Sequence, residues 1–119
     1  MRENTVIFLH KLIWAAYVLA LIVGSLVPVD MSGAPDQSDK LFHFLAYGLM
    51  VFFWPAGRKG FRLSPFWLAA GLGLLLEIAQ GALPTGRFMD IWDVAANTLG
   101  AGVGAAVALL RVKHAGRSA

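Results

Sequence analysis

The residues of this chain that could do chemistry are polar side chains set in apolar sequence, and they recur at helical spacing. Asp39, His43 and Tyr47 are spaced four apart, so they share one face of a helix, with Lys40 beside them. Glu77 and Gln80 share a face of a second helix, and Asp90, Asp93 and Asn97 a face of a third, with Arg87 just before it. His43, Glu77 and Asp93 are the candidate catalytic residues, because an imidazole between carboxylates can serve as a general acid/base set. Glu77, Asp90, Asp93 and His43 also combine hard oxygen donors with imidazole, a mixture that suits manganese, magnesium or zinc. No metal motif of fixed spacing occurs, so no metal and no cofactor is assigned. Lys40 and Arg87 either neutralise the carboxylates or hold a phosphate or carboxylate, for which arginine is the better fork. No Ser or Thr stands where it would be an obvious nucleophile.

Each of these residues also has a plain structural role open to it. Asp90 and Asp93 suit a helix N-terminus, where negative charge is favourable. Asn97 and Gln80 can form interhelical hydrogen bonds, worth about 0.6 kcal/mol each within a membrane. Tyr47, Trp67 and Trp92 can serve as interfacial anchors. His43 alone reads as a satisfied structural histidine. Glu77 is hardest to dismiss, because it follows the apolar run Leu72 to Leu76. It needs a partner, and Arg87, Lys40 and His43 are the candidates. His10 and His114 are assigned nothing.

The elements that must position these residues are membrane helices. Of the 119 residues, 58% are hydrophobic and only 14% are charged, whereas soluble domains carry about 25% charged residues. The +3 net charge sits at the flanks of apolar runs rather than in a basic stretch, so nucleic acid is not an expected partner. With no cysteine, disulfides and thiolate metal sites are excluded. Four spans are predicted, at about 6–27, 39–55, 65–83 and 91–110, forming a single domain over 1–119. The short tails leave no room for an appended domain. The first span is longer than a signal-peptide core and lacks a clean cleavage site, so it reads as a retained helix. Ser64 is predicted to cap span three with Pro65 at its first position, and Asp90 to cap span four. Gly81 and Pro84 mark the end of span three. Span two is short for a hydrocarbon core of about 30 Å and needs protein neighbours to shield its outer end.

Eight of the ten Lys and Arg residues (Arg2, Lys11, Arg58, Lys59, Arg62, Arg111, Lys113 and Arg117) fall on one side of these spans. The positive-inside rule makes that side cytoplasmic, with both termini inside. Lys40, Arg87 and six of the seven acidic residues, Asp30, Asp36, Asp39, Glu77, Asp90 and Asp93, then face outward. Ionisable groups within a span cost roughly 2.5–3.5 kcal/mol each, so such stripes face the bundle interior or a water-filled cavity. Lys40 can pair with Asp36 or with a carboxylate of another span. Whether the loop from Asp30 to Ser38 seals the cluster is left open by the sequence.

The expected fold is therefore all-α: a polytopic, compact bundle of four transmembrane helices with both termini cytoplasmic. Ala96, Gly100, Gly104 and Ala108 form a small-residue ridge on span four. Ala69, Gly73 and Gly71 offer small residues on span three. Such ridges let helices approach closely. Packing within the bundle is the first reading of the ridge, and a homodimer through Gly100 and Gly104 the second.

At these positions the chain resembles the VanZ-like family of small bacterial membrane proteins. The resemblance runs through Ser25-Leu26-Val27-Pro28, Asp39-Lys40-Leu41-Phe42-His43-Phe44, Tyr47 and Glu77-Ile78-Ala79-Gln80. It continues through Arg87-Phe88-Met89-Asp90-Ile91-Trp92-Asp93 and Asn97-Thr98-Leu99-Gly100 to Gly104, and covers most of the chain. It implies a compact helical membrane domain and a link to resistance against glycopeptide antibiotics of the teicoplanin type. It brings no settled biochemical activity, and the residues that carry it are the polar cluster itself.

Two functions are expected to compete. One is a non-catalytic envelope protein binding an anionic or isoprenoid lipid headgroup, a cell-wall precursor or a partner protein through Asp39, Lys40, His43, Tyr47, Glu77, Gln80, Arg87, Asp90, Asp93 and Asn97. The other is a membrane-embedded, metal-assisted enzyme acting on lipid-linked phosphates. A proton path or transporter ranks last, because the cytoplasmic halves of the spans are apolar.

Overall fold

In the computed structural model, residues 2–28, 38–55 and 62–118 are described. The loop from Asp30 to Asp36, with both of those carboxylates, lies outside them, as do Arg58 and Lys59. The described residues contain four helices and no strand. They are α1 (Arg2–Leu26), α2 (Ser38–Phe52), α3 (Ser64–Ala82) and α4 (Ile91–Arg117). Three of them, α1, α3 and α4, are long and apolar enough to cross a membrane. The fourth, α2, has 15 residues and spans about 22 Å at 1.5 Å per residue.

The ends of the helices follow from local chemistry, with one correction. Asp90 caps α4 as expected, its side chain accepting from the Trp92 N–H at 2.9 Å. Ser64 does not cap α3. The helix already includes Ser64, Leu63 takes the cap position without a side-chain bond, and Pro65 occupies the first turn. Proline there costs nothing, because its missing N–H would have had no helical partner. At the other end of α3 the Leu83 N–H closes on Ala79 O at 2.9 Å, just before Pro84.

The tightest packing joins α2 to α4. A Cβ added at Gly100 would fall on the backbone of Phe44, and one added at Gly104 on the backbone of Gly48. The two helices run parallel in this register, with Lys40 level with Asp93 at one end and Gly48 level with Gly104 further along. The ridge is thus used within the chain, and α2 covers both glycines that a pairing of two copies would need. Gly73 of α3 packs on Asn97 and Tyr47, whereas Gly71 faces open space and contributes nothing to the ridge. Tyr47, Met50, Val51, Ala69, Ala101 and Ala105 make the core.

The first helix joins differently. It has no fully buried residue, and Trp14, Tyr17, Val18 and Leu21 pack on the core from outside. It also donates three side-chain hydrogen bonds to backbone carbonyls of α2 and its C-terminal extension. Tyr17 reaches Ala46 O (2.7 Å), Trp14 reaches Met50 O (2.9 Å) and His10 Nε2 reaches Phe53 O (2.9 Å). The last carbonyls of a helix have no partner within it, and in hydrocarbon such groups are costly. Trp14 and His10 meet that need where the short α2 ends. The shielding therefore falls at the C-terminal end of α2, and His10, to which the sequence assigns nothing, takes part in it. Trp14→Phe keeps the ring and removes the N–H. It is expected to cost about 1 kcal/mol, read as a lower melting temperature in detergent. An unchanged melting temperature would show that this bond does not anchor α1.

Candidate functional site

All four helices bring polar groups to one end of the bundle: the starts of α2 and α4 and the finishes of α1 and α3. At its centre is Lys40, whose Nζ donates to Asp90 Oδ2 at 3.0 Å, Asp93 Oδ1 at 3.3 Å and Asp39 Oδ2 at 3.5 Å. Of the two roles open to it, Lys40 takes that of counter-ion, and its main partners lie on α4. The Lys40 side chain keeps about a quarter of its exposure, Asp90 somewhat more and Asp93 little. The Trp92 N–H and then the Lys40 ammonium hold the Asp90 carboxyl below the usual carboxylate range. The stabilisation from the Asp90 cap and ion pair is therefore complete above the ordinary carboxylate pKa. It fades only as the pH falls through the lowered one.

One turn deeper, His43 lies between the three helices. Its Nδ1 donates to Asn97 Oδ1 at 2.8 Å, which gives Asn97 the interhelical bond expected of it. Nε2 lies 3.6 Å from Asp93 Oδ2, and Nδ1 lies 3.9 Å from Glu77 Oε1. Glu77 is 1% exposed, and its Oε2 accepts the Asp90 backbone N–H at 3.2 Å. None of the three expected partners makes this bond. A peptide N–H at the mouth of α4 does, and His43 Nδ1 lies 3.9 Å from the other oxygen. The three candidate catalytic residues are thus brought together. His43, Glu77 and Asp93 each offer one donor atom, and these atoms all lie within 4.8 Å of one another. Asp39, Asp90 and Asp93 meet the same criterion around Lys40.

Three candidates make no hydrogen bond to the Lys40 and His43 groups among the described residues. Tyr47 is 2% exposed in the apolar core, one turn below His43, and no hydrogen bond joins it to the cluster among the described residues. It is no interfacial anchor, whereas Trp67 and Trp92 are both exposed. Gln80 and Arg87 form a separate group against the end of α1, where Gln80 Nε2 donates to Ser25 O at 2.6 Å and Arg87 Nη1 to the same oxygen at 3.4 Å. Among the described residues Arg87 makes no ion pair. Thr85, which the sequence did not single out, organises this turn. Its buried hydroxyl donates to Gln80 O at 2.9 Å and accepts the Arg87 N–H at 3.2 Å. A threonine in a turn carries no spacing signal, and Ser25 contributes through a carbonyl that every residue has.

A groove of about 340 Å³ runs along the outer face of α4, lined by Trp92, Ala95, Ala96 and Leu99, and ends on Lys40. That is near the lower end of ligand pockets, roughly 300–1,000 Å³.

Three helices of spanning length around a polar end define a helical membrane protein. The comparisons agree with this class. The VanZ/LLP1 family profile matches residues 6–112, and the chain belongs to that family. No curated protein matches the chain. No solved structure matches it.

Proposed function

We propose that this VanZ/LLP1 protein is a single-domain, four-span protein of the bacterial inner membrane with both termini in the cytoplasm. Its outward polar cluster binds the phosphate-bearing headgroup of an anionic or isoprenoid lipid. The short α2 acts as the fourth span because residues of α1 satisfy the carbonyls where it ends. The observation that carries the reading is the groove. Its apolar walls face the side of α4 that lipid would contact, and it leads to the polar cluster, so one ligand would need both a chain and a charged head. Arg87 does not line the groove, but it has no carboxylate partner among the described residues and lies at the same end of the bundle, so it is the group we assign to the phosphate, for which its planar fork is suited. Holding a lipid-linked cell-wall precursor in this way would alter access of glycopeptide antibiotics at the surface, the link that the VanZ resemblance implies.

Native mass spectrometry of protein gently released from its membrane tests this. Wild type is expected to carry a co-purifying anionic or isoprenoid lipid, and Arg87→Ala to lose most of it while remaining folded. Bare protein in both cases would sink the reading and leave Arg87 as a tether for the end of α1. A second reading, metal-assisted hydrolysis or transfer on lipid-linked phosphates, is favoured by His43 standing beside two carboxylates. Turnover of a polyprenyl phosphate by purified protein, lost in His43→Gln, would select it.

A further inference from the structure

The polar cluster holds more carboxyl groups than basic ones. Four carboxyl groups, those of Asp39, Glu77, Asp90 and Asp93, gather around one ammonium, that of Lys40, and one imidazole, that of His43. In a medium of low dielectric, carboxylates this close need further positive charge. The arrangement around His43 indicates where it enters. Asn97 Oδ1 can only accept, so the imidazole carries its proton on Nδ1. Nε2 faces the Asp93 carboxylate at 3.6 Å, too far for a direct hydrogen bond. That gap leaves room for a positive ion held between the two. The buried Glu77 adds to this. Its Oε2 accepts the Asp90 N–H, and its Oε1 lies 3.9 Å from His43 Nδ1.

We infer that His43, Asp93 and Glu77 form a divalent-cation site, filled by a zinc- or manganese-like ion. Donors about 2.1 Å from a common ion at the tetrahedral angle stand about 3.4 Å apart. Nε2 and Asp93 Oδ2 are close to that spacing, and one donor atom each from His43, Asp93 and Glu77 lies within 4.8 Å of the others. One imidazole with two carboxylates is a donor set for zinc or manganese rather than for calcium. Asn97 acts as the outer partner that fixes the imidazole tautomer, as partners of metal-bound histidines do. The inference rests on the headgroup reading in one respect. An ion at this position supplies the positive charge that Lys40, held by three aspartates, does not offer to a phosphate.

The test uses full-length protein in detergent, stripped of lipid and treated with a chelator, then titrated with Mn²⁺ or Zn²⁺ alone. Calorimetry and metal analysis after desalting are expected to show one ion per chain and a raised melting temperature. His43→Gln keeps a side chain that can donate to Asn97, and it is expected to weaken binding by roughly tenfold or more, the scale of losing even an outer partner. Asp93→Asn should do the same, and circular dichroism reports whether each variant is folded. The inference is overturned if wild type binds neither ion stoichiometrically. It is also overturned if binding survives unchanged in His43→Gln, which would put the ion elsewhere, for instance among Asp39, Asp90 and Asp93. Because lipid is absent, these outcomes are independent of the headgroup reading. Lipid that co-purifies with a protein binding no ion would overturn this inference alone, and a bound ion without lipid would overturn only the headgroup reading.

Discussion

Gly100→Ala is expected to separate α2 from α4. The added carbon falls on the Phe44 carbonyl, a rigid backbone group rather than the movable end of a side chain. The helices can relieve the clash only by moving apart. That would break the contacts of Gly48 with Gly104 and weaken the link from Lys40 to Asp93. Inserting one methyl into a packed core usually costs about 1–3 kcal/mol. Here the obstruction is backbone on the partner helix, so about 3 kcal/mol or more is expected. The readout is thermal unfolding in detergent, together with the yield of monodisperse protein. Gly71→Ala is the control, because a Cβ there meets nothing within 4 Å. It should be neutral, or stabilising by up to about 1 kcal/mol from the gain in helix propensity. If Gly100→Ala and Gly71→Ala melt alike, the close approach of α2 and α4 is wrong.

Lys40→Met should be the next most damaging change. It leaves Asp90 and Asp93 facing each other without their shared ammonium, and Asp93 has little water to turn to. Removing one partner of a buried ion pair costs about 3–5 kcal/mol, whereas an exposed pair is worth about 1 kcal/mol at most. Lys40 keeps part of its exposure, so about 2 kcal/mol is expected. The diagnostic result is the double variant. Lys40→Met with Asp93→Asn should recover much of the loss, because it removes one of the stranded charges. The cycle then reports a coupling of the order seen for residues in contact, about 0.5–3 kcal/mol. Metal chelator should be present throughout, so that a bound ion does not replace the missing ammonium. Additive losses in the cycle would mean that Lys40 does not hold these carboxylates.

The two experiments examine different layers of the same design. The glycines set how near the helices come, and Lys40 compensates the charge that this nearness concentrates. Glu77 shows the two layers meeting. It sits on α3 and accepts the amide of Asp90 at the start of α4. The carboxylate that looked most out of place in an apolar run thus helps hold the turn between its own helix and the next.

Much of this was legible in the chain. The apolar runs, the basic loops and the polar residues at three- and four-residue spacing specify helices with polar stripes at one end. Helical period and charge placement are local properties that need no partner to be read. Asp90 as a cap, Asn97 and Gln80 as interhelical donors or acceptors, and the meeting of His43, Glu77 and Asp93 all follow from that pattern. What the sequence could not supply were the partners formed by backbone. Glu77 rests on a peptide N–H, Gln80 and Arg87 on the carbonyl of Ser25, and Trp14, Tyr17 and His10 on carbonyls of α2 or just beyond it. Every residue carries such groups, so nothing in a residue's identity marks which of them will be left open. Only the tertiary structure decides this, because it depends on where a helix ends and which neighbour lies across from that end. The choice between counter-ion and anion receptor for Lys40 was likewise made by packing. The approach of α4 at Gly100 brings Asp90 and Asp93 within 3.3 Å of an ammonium that sequence alone leaves free to face either way.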